Sequence, residues 1–233
     1  MPSATDTKRI ARRAGLLYLV MAVLAMIGYF YLAPKFVVSG DATATARAIL
    51  DHEQLYRTTI LINLISMVLF ILVVAELYRL FEQVDRYQAR LMVALVGTGI
   101  AAVLASFALN AAPLVLLGSG DELSAFTRPQ LEALAYASLR VADRLGGVLT
   151  LIWGLWLLPF AALTLKSGFL PKFLGVLLII TGVAYVVTCV TAIVFPAQLE
   201  AVNKVAFPLY FGELIVVLWL AIVGAKPREA VGR

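Results

Sequence analysis

Glu213 is the residue with the most chemistry to offer. It stands in Tyr210-Phe211-Gly212-Glu213-Leu214, inside an apolar run from Val205 to Ala225. A carboxyl in such surroundings can accept and release a proton or hold the polar part of a ligand. Alternatively it is a neutral acid, hydrogen-bonded to a neighbouring helix and serving only to lock it. Tyr210, three residues earlier on the same helical face, is a candidate partner or second site residue. Asn63, Asn110, Asp143 and Arg144 also interrupt apolar runs, and Arg144 has the stem length to act as a counter-charge. Trp153 and Trp156 lie at i,i+3 spacing in the middle of another run. They either pack as core or line a ligand pocket.

Other chemistries are excluded by what the chain lacks. One cysteine, Cys189, gives neither an intrachain disulfide nor a thiolate zinc site. The single histidine, His52, sits between Asp51 and Glu53 and cannot supply bis-His haem ligation. No lysine falls in the middle of an apolar run, which removes a Schiff base. No G-x-S-x-G, H-E-x-x-H or P-loop sequence is present. Neither a metal nor a cofactor is expected.

These residues must be positioned by membrane helices. Of the 233 residues 62% are hydrophobic and 14% charged, and the mean hydropathy is +0.95. That is far from a soluble domain, which is about 25% charged. Six runs reach the roughly 20 residues that cross a hydrocarbon core. They are Ala14–Ala33, Thr58–Phe81, Leu91–Leu117, Val141–Leu165, Phe173–Phe195 and Val205–Ala225. The first is too long for a signal peptide's apolar region and lacks a small-residue cleavage site, so it reads as a retained helix. The net charge of +5 is scattered over the ends of the runs and forms no basic face for nucleic acid. Twelve of the 19 Lys and Arg lie on the side that also holds both termini, which places the termini in the cytoplasm. The expected architecture is therefore an all-α, six-span helical bundle. It comprises an N-terminal segment 1–13, a membrane domain 14–225 and a tail 226–233.

The directions of the spans give each polar residue a depth. Asn63, Asn110, Asp143 and Arg144 fall in the outer half. Glu213, eight residues into its run, lies about 12 Å below the outer edge. A polar cavity opening outward and floored by Glu213 would accommodate them all. The competing reading makes the asparagines interhelical hydrogen-bonding groups. Glu76 and Arg79, near the inner end of the second run, are spaced to neutralise one another. Asp41 can cap a short interfacial helix, and Thr127 ahead of Pro129 marks a helix start well before Val141. Together they predict a small helical cap on the outer face. Gly97, Gly99, Gly146, Gly147, Gly175 and Gly182 are candidates for close helix contacts, and Pro113, Pro159 and Pro208 for bends.

Two stretches carry a family resemblance. Ile152-Trp153-Gly154-Leu155-Trp156-Leu157-Leu158-Pro159 and Lys166-Ser167-Gly168-Phe169-Leu170-Pro171-Lys172 resemble the bacterial integral membrane family catalogued as domain of unknown function 4386. Lys8-Arg9-Ile10-Ala11 before Leu17-Tyr18-Leu19, Ser39-Gly40-Asp41-Ala42 and Gly212-Glu213-Leu214 are similar as well. The family pattern often carries an acid after a Gly-Tyr-Leu in the fifth span, where this chain has Ala184-Tyr185-Val186-Val187. The resemblance implies a six-span fold, a bacterial inner-membrane location and a family-like Glu213. It implies no activity, substrate or cofactor. Three functions follow as expectations. The first is binding or transport of a proton or of a small amphipathic, lipid-like ligand, with membrane lipids as partners. The second is a non-catalytic scaffold or homo-oligomer. The third is a lipid-modifying enzyme with Glu213 or Asp143 as general acid or base.

Overall fold

A span buried in hydrocarbon must bond its backbone polar groups internally, and the computed structural model is helical accordingly. It describes residues 4–118, 120 and 123–226; most of the tail expected at 226–233 lies outside the described residues. Seven α-helices follow in order: α1 Ala4–Ala25, α2 Ala42–Asp51, α3 Glu53–Phe81, α4 Arg86–Leu116, α5 Arg128–Ser167, α6 Lys172–Val194 and α7 Leu199–Ile222. No strand occurs among the described residues. All but α2 belong to the six segments long and apolar enough to cross a membrane. α1 continues through a π-helical stretch, Met26–Leu32, into a tight turn at Ala33–Lys35.

The helices outrun the apolar segments that announce them because polar flanks bond locally. Residues 4–13 form the first turns of α1. α5 begins at Arg128: the Thr127 N–H donates to Gln130 Oε1 at 2.8 Å, a capping arrangement, with Pro129 in the first turn where its missing N–H costs nothing. α7 begins at Leu199, six residues before Val205, and a Glu200–Lys204 pair at 2.8 Å braces its first turns. The same start fixes where Glu213 falls along its helix. It lies fourteen residues after Leu199, about 21 Å along the helix and past its midpoint.

The chain forms two compact units. One takes in Met21–Met67 and Ala101–Gly147. Here Asp41 caps α2 by accepting from the Ala44 N–H at 2.8 Å, as expected. The buried Ala46 and Ile49 of α2 pack with Phe36, Tyr56, Leu117, Ala135 and Leu139. Polar contacts tie this helix and the turn before it to α5: Thr43 Oγ1 donates to Glu132 Oε2 at 2.7 Å, and the Gly40 N–H donates to the Tyr136 hydroxyl at 2.8 Å.

The other unit takes in the chain up to Val20, Val68–Ile100 and the chain from Val148 on. Its centre is aromatic. Trp156 is fully buried, stacks on Phe160 at 5.6 Å and meets Phe70 edge-on at 5.4 Å. Outside the apolar segments, Lys166 Nζ hydrogen-bonds Asp85 at 2.7 Å, which with the Gln88 N–H holds the Asp85 carboxyl below its usual value.

Missing side chains set the helix seams in this unit. A Cβ on Gly154 would come within 2.6 Å of the Gly182 carbonyl, and one on Gly182 within 2.9 Å of the Gly154 carbonyl, so α5 and α6 cross backbone to backbone. Gly175 is similarly tight, 2.6 Å from Leu165. Gly99 makes room for the Trp153 ring at 2.8 Å. At Gly97, and in the other unit at Gly146 and Gly147, a Cβ would meet nothing within 4 Å among the described residues, so the expected close contact is not seen there. α4, α5 and α7 each continue through their internal proline.

Gly154→Val is expected to destabilise the protein by about 1–3 kcal/mol through overpacking at this crossing. Gly97→Ala, with open space before it, should leave the melting temperature in detergent unchanged within about a degree or raise it slightly. Equal melting temperatures for Gly154→Val and the unaltered protein would contradict the close crossing.

Candidate functional site

Two of the glutamates in the larger unit, Glu76 and Glu213, lie well inside its apolar helices, and they are held in different ways. Glu76 on α3 is nearly buried, and its two carboxylate oxygens are taken by arginines: Arg13 Nε at 3.3 Å and Arg79 Nη1 at 3.2 Å. The i,i+3 pair with Arg79 is the one its spacing predicts, and Arg13 of α1 makes it a cluster of three. Such an acid is neutralised in place.

Glu213 on α7 has no such partner. Among the described residues, no Lys, Arg or His is ion-paired with it. Its Oε1 accepts a hydrogen bond from the hydroxyl of Tyr18, which is 3% exposed. A second phenol, Tyr185, lies beside the same carboxyl. The Tyr185 ring stacks on that of Tyr210 at 4.4 Å and 11°, and the Tyr210 hydroxyl hydrogen-bonds Thr188 Oγ1 at 2.8 Å. Three tyrosines and a threonine from α1, α6 and α7 thus form one polar cluster around a single acid.

Local sequence explains how these side chains meet. α1 and α7 run antiparallel along one seam: Arg12 donates to the Ile222 carbonyl at 2.9 Å, Gly15 lies against the Ala221 backbone, and Tyr18 reaches Glu213. A Cβ at Gly15 would collide with Ala221, so glycine there is what allows the approach. On the other side Gly212 does the same for α6. A Cβ there would lie 2.5 Å from Thr181 Oγ1 and 3.2 Å from the Leu177 carbonyl. Thr181 fastens the seam by donating to the Leu209 carbonyl at 2.8 Å.

The residues singled out by sequence divide between the two units. Glu213, Tyr210 and Trp153 belong to the larger one. Tyr210 joins the cluster through Tyr185 and Thr188. Trp153 packs on Phe70 at 5.7 Å and over Gly99, and it is Trp156 whose ring lies beside Tyr18, at 6.3 Å. Asn63, Asn110, Asp143 and Arg144 belong to the other unit. Asn63 is buried against Gly28 of the π-helical stretch, and its Oδ1 has no hydrogen-bond partner. Asn110 turns its amide back onto the Ser106 carbonyl at 3.0 Å, and its own carbonyl accepts from the Tyr56 hydroxyl. Asp143 and Arg144 are exposed, and Asp143 pairs with Arg140 at 3.7 Å.

Tyr18, Tyr185 and Thr188 are the members that sequence reasoning passed over. A signal was present: a tyrosine far from the ends of an apolar run is not an interfacial anchor, and its hydroxyl needs a partner inside the protein. Among the described residues, no group of three or more His, Cys, Asp and Glu could hold a metal ion.

Fold and site together define a multi-pass helical membrane protein built around a phenol-ligated carboxyl. The chain belongs to the family described as Domain of unknown function (DUF4386), which it matches over residues 13–224. No curated protein and no solved structure matches it.

Tyr18→Phe removes the donor but keeps the ring, and it is expected to lower stability by about 1–3 kcal/mol, the cost of leaving the Glu213 oxygen without its donor. In a Glu213→Gln background the same change should cost less, by at least about 0.5 kcal/mol in a double-mutant cycle read by chemical denaturation. Strict additivity of the two changes would show that the two side chains do not interact.

Proposed function

We propose that the protein binds or transports a proton or the polar part of a small amphipathic, lipid-like ligand, and that Glu213 is the group that takes it. The observation that carries this reading is the contrast between the partners of buried Glu76 and those of half-buried Glu213. The Arg13 and Arg79 guanidiniums offset the charge of Glu76, so that a proton or an incoming cation would have to displace them. Among the described residues, the donors beside Glu213 are the neutral hydroxyls of Tyr18 and Tyr185. Phenols can stabilise the ionised carboxylate by hydrogen bonding, and they can also turn to accept from the protonated acid. Both states are therefore provided for, and the site keeps its capacity for one positive charge. The Tyr185–Tyr210–Thr188 continuation adds hydroxyls that could follow a change at Glu213. We place the protein in the bacterial inner membrane with both termini in the cytoplasm, in keeping with the distribution of Lys and Arg.

A scaffold reading draws on the same bonds. The Tyr18 hydroxyl and the glycine seams would then serve only to lock α1, α6 and α7 together. The two readings part in one experiment on the purified protein and its Glu213→Gln variant. The readouts are proton uptake by proteoliposomes under an imposed pH gradient and thermal stabilisation by a panel of amphipathic amines, acids and lipids. Binding or transport predicts that at least one response is present in the unaltered protein and falls at least tenfold in a variant that still folds. If the variant matches the unaltered protein in every response, the scaffold reading takes its place.

A further inference from the structure

A second site, independent of Glu213, lies on the exposed face of α1. Lys8, Arg9, Arg12 and Arg13 occupy i, i+1, i+4 and i+5, so their four positive charges share one side of the helix. The same side continues into Leu16, Leu17 and Val20, and these seven residues line an open groove of about 610 Å³. Leu16 is 54% exposed and Val20 51%. The groove is therefore cationic at one end and apolar at the other, over about 18 Å of helix.

The charges are only partly committed. Arg9 gives one contact to Asp6 at 3.3 Å, Arg12 one to the Ile222 carbonyl and Arg13 one to Glu76. Each guanidinium carries five N–H groups, so donors remain for a further acceptor. Helix stability does not account for the cluster either. Cations in the first turns of a helix oppose its dipole, and here four of them face a single first-turn acid, Asp6. An anionic group among them would relieve that repulsion. The topology bias of Lys and Arg explains their presence on this side of the membrane, but not their alignment above an apolar stripe.

We propose that this face binds one anionic phospholipid, its phosphate among Lys8, Arg9, Arg12 and Arg13 and its upper acyl chain along Leu16, Leu17 and Val20. The charges and the stripe lie in the order, and at the spacing, in which such a lipid presents its own head and chain. A free phosphate would use the cationic end alone.

Native mass spectrometry of the full-length protein tests this, with phosphatidylglycerol, phosphatidylcholine and inorganic phosphate as separate probes. Lys8→Gln/Arg9→Gln leaves the Arg12–Ile222 and Arg13–Glu76 contacts in place. Leu16→Trp fills the groove without altering charge, and Arg47→Gln/Lys204→Gln removes the same charge elsewhere. The unaltered protein is expected to retain one phosphatidylglycerol with roughly tenfold preference over phosphatidylcholine. Retention should fall about tenfold in the first two variants and stay unchanged in the third. The proposal is overturned if phosphatidylcholine is retained equally or if inorganic phosphate displaces the lipid at equal concentration. It is also overturned if the charge-matched control loses as much as Lys8→Gln/Arg9→Gln, or if neither groove variant loses any. Should the double variant not fold, the Leu16→Trp result decides alone.

Discussion

An ionisable group enters an apolar helix only with its hydrogen bonds provided, at a cost of about 2.5–3.5 kcal/mol on insertion scales. The bond between Tyr18 and Glu213 is where this chain meets that constraint without a counter-charge. Much of the surrounding architecture serves the bond. Gly15 brings α1 against α7, Gly212 brings α6 against α7, and Gly154 and Gly182 bring α6 against α5. Each glycine removes a Cβ that would otherwise hold two backbones apart. The aromatic core about Trp156 then fills what the close seams leave. With Tyr18 held beneath that core, its hydroxyl has few directions to take, and a preorganised donor is worth more than a mobile one.

Glu76 shows what the alternative looks like in the same unit. Its carboxylate lies between Arg13 and Arg79, both of which reach solvent along their stems. That cluster joins α1 to α3 through two ion pairs. The two acids differ in partner chemistry: guanidiniums hold Glu76, and hydroxyls hold Glu213. α1 contributes to both sites, with Arg13 on Glu76 and Tyr18 on Glu213 five residues apart.

Much of the fold was legible because its signals are local. Run length gave six spans, and Asp41 and Thr127 marked helix starts that the structure shows. The limits of the runs were less informative, since helices continue wherever polar flanks can pair. α7 starts six residues before its apolar run, where Glu200 pairs with Lys204, so Glu213 falls past the middle of its helix. The site was legible only at its centre. Glu213 and Tyr210 stand three residues apart on one helix, but Tyr18 and Tyr185 come from α1 and α6, and no spacing within one helix can reveal a partner on another. Expected depth alone groups Asn63, Asn110, Asp143 and Arg144 with Glu213, and they belong to the other unit.

Glu213 has no counter-charge among the described residues, whereas Glu76 is paired with two arginines. Modification of the purified protein by a membrane-permeant carbodiimide, mapped by peptide mass spectrometry across a range of pH, tests it most directly. Such reagents add to protonated carboxyl groups in apolar surroundings. The account predicts pH-dependent labelling of Glu213 that Tyr18→Phe alters, with Glu76 unlabelled under the same conditions. Labelling of Glu76 with none at Glu213, or equal labelling of both at every pH, would contradict it.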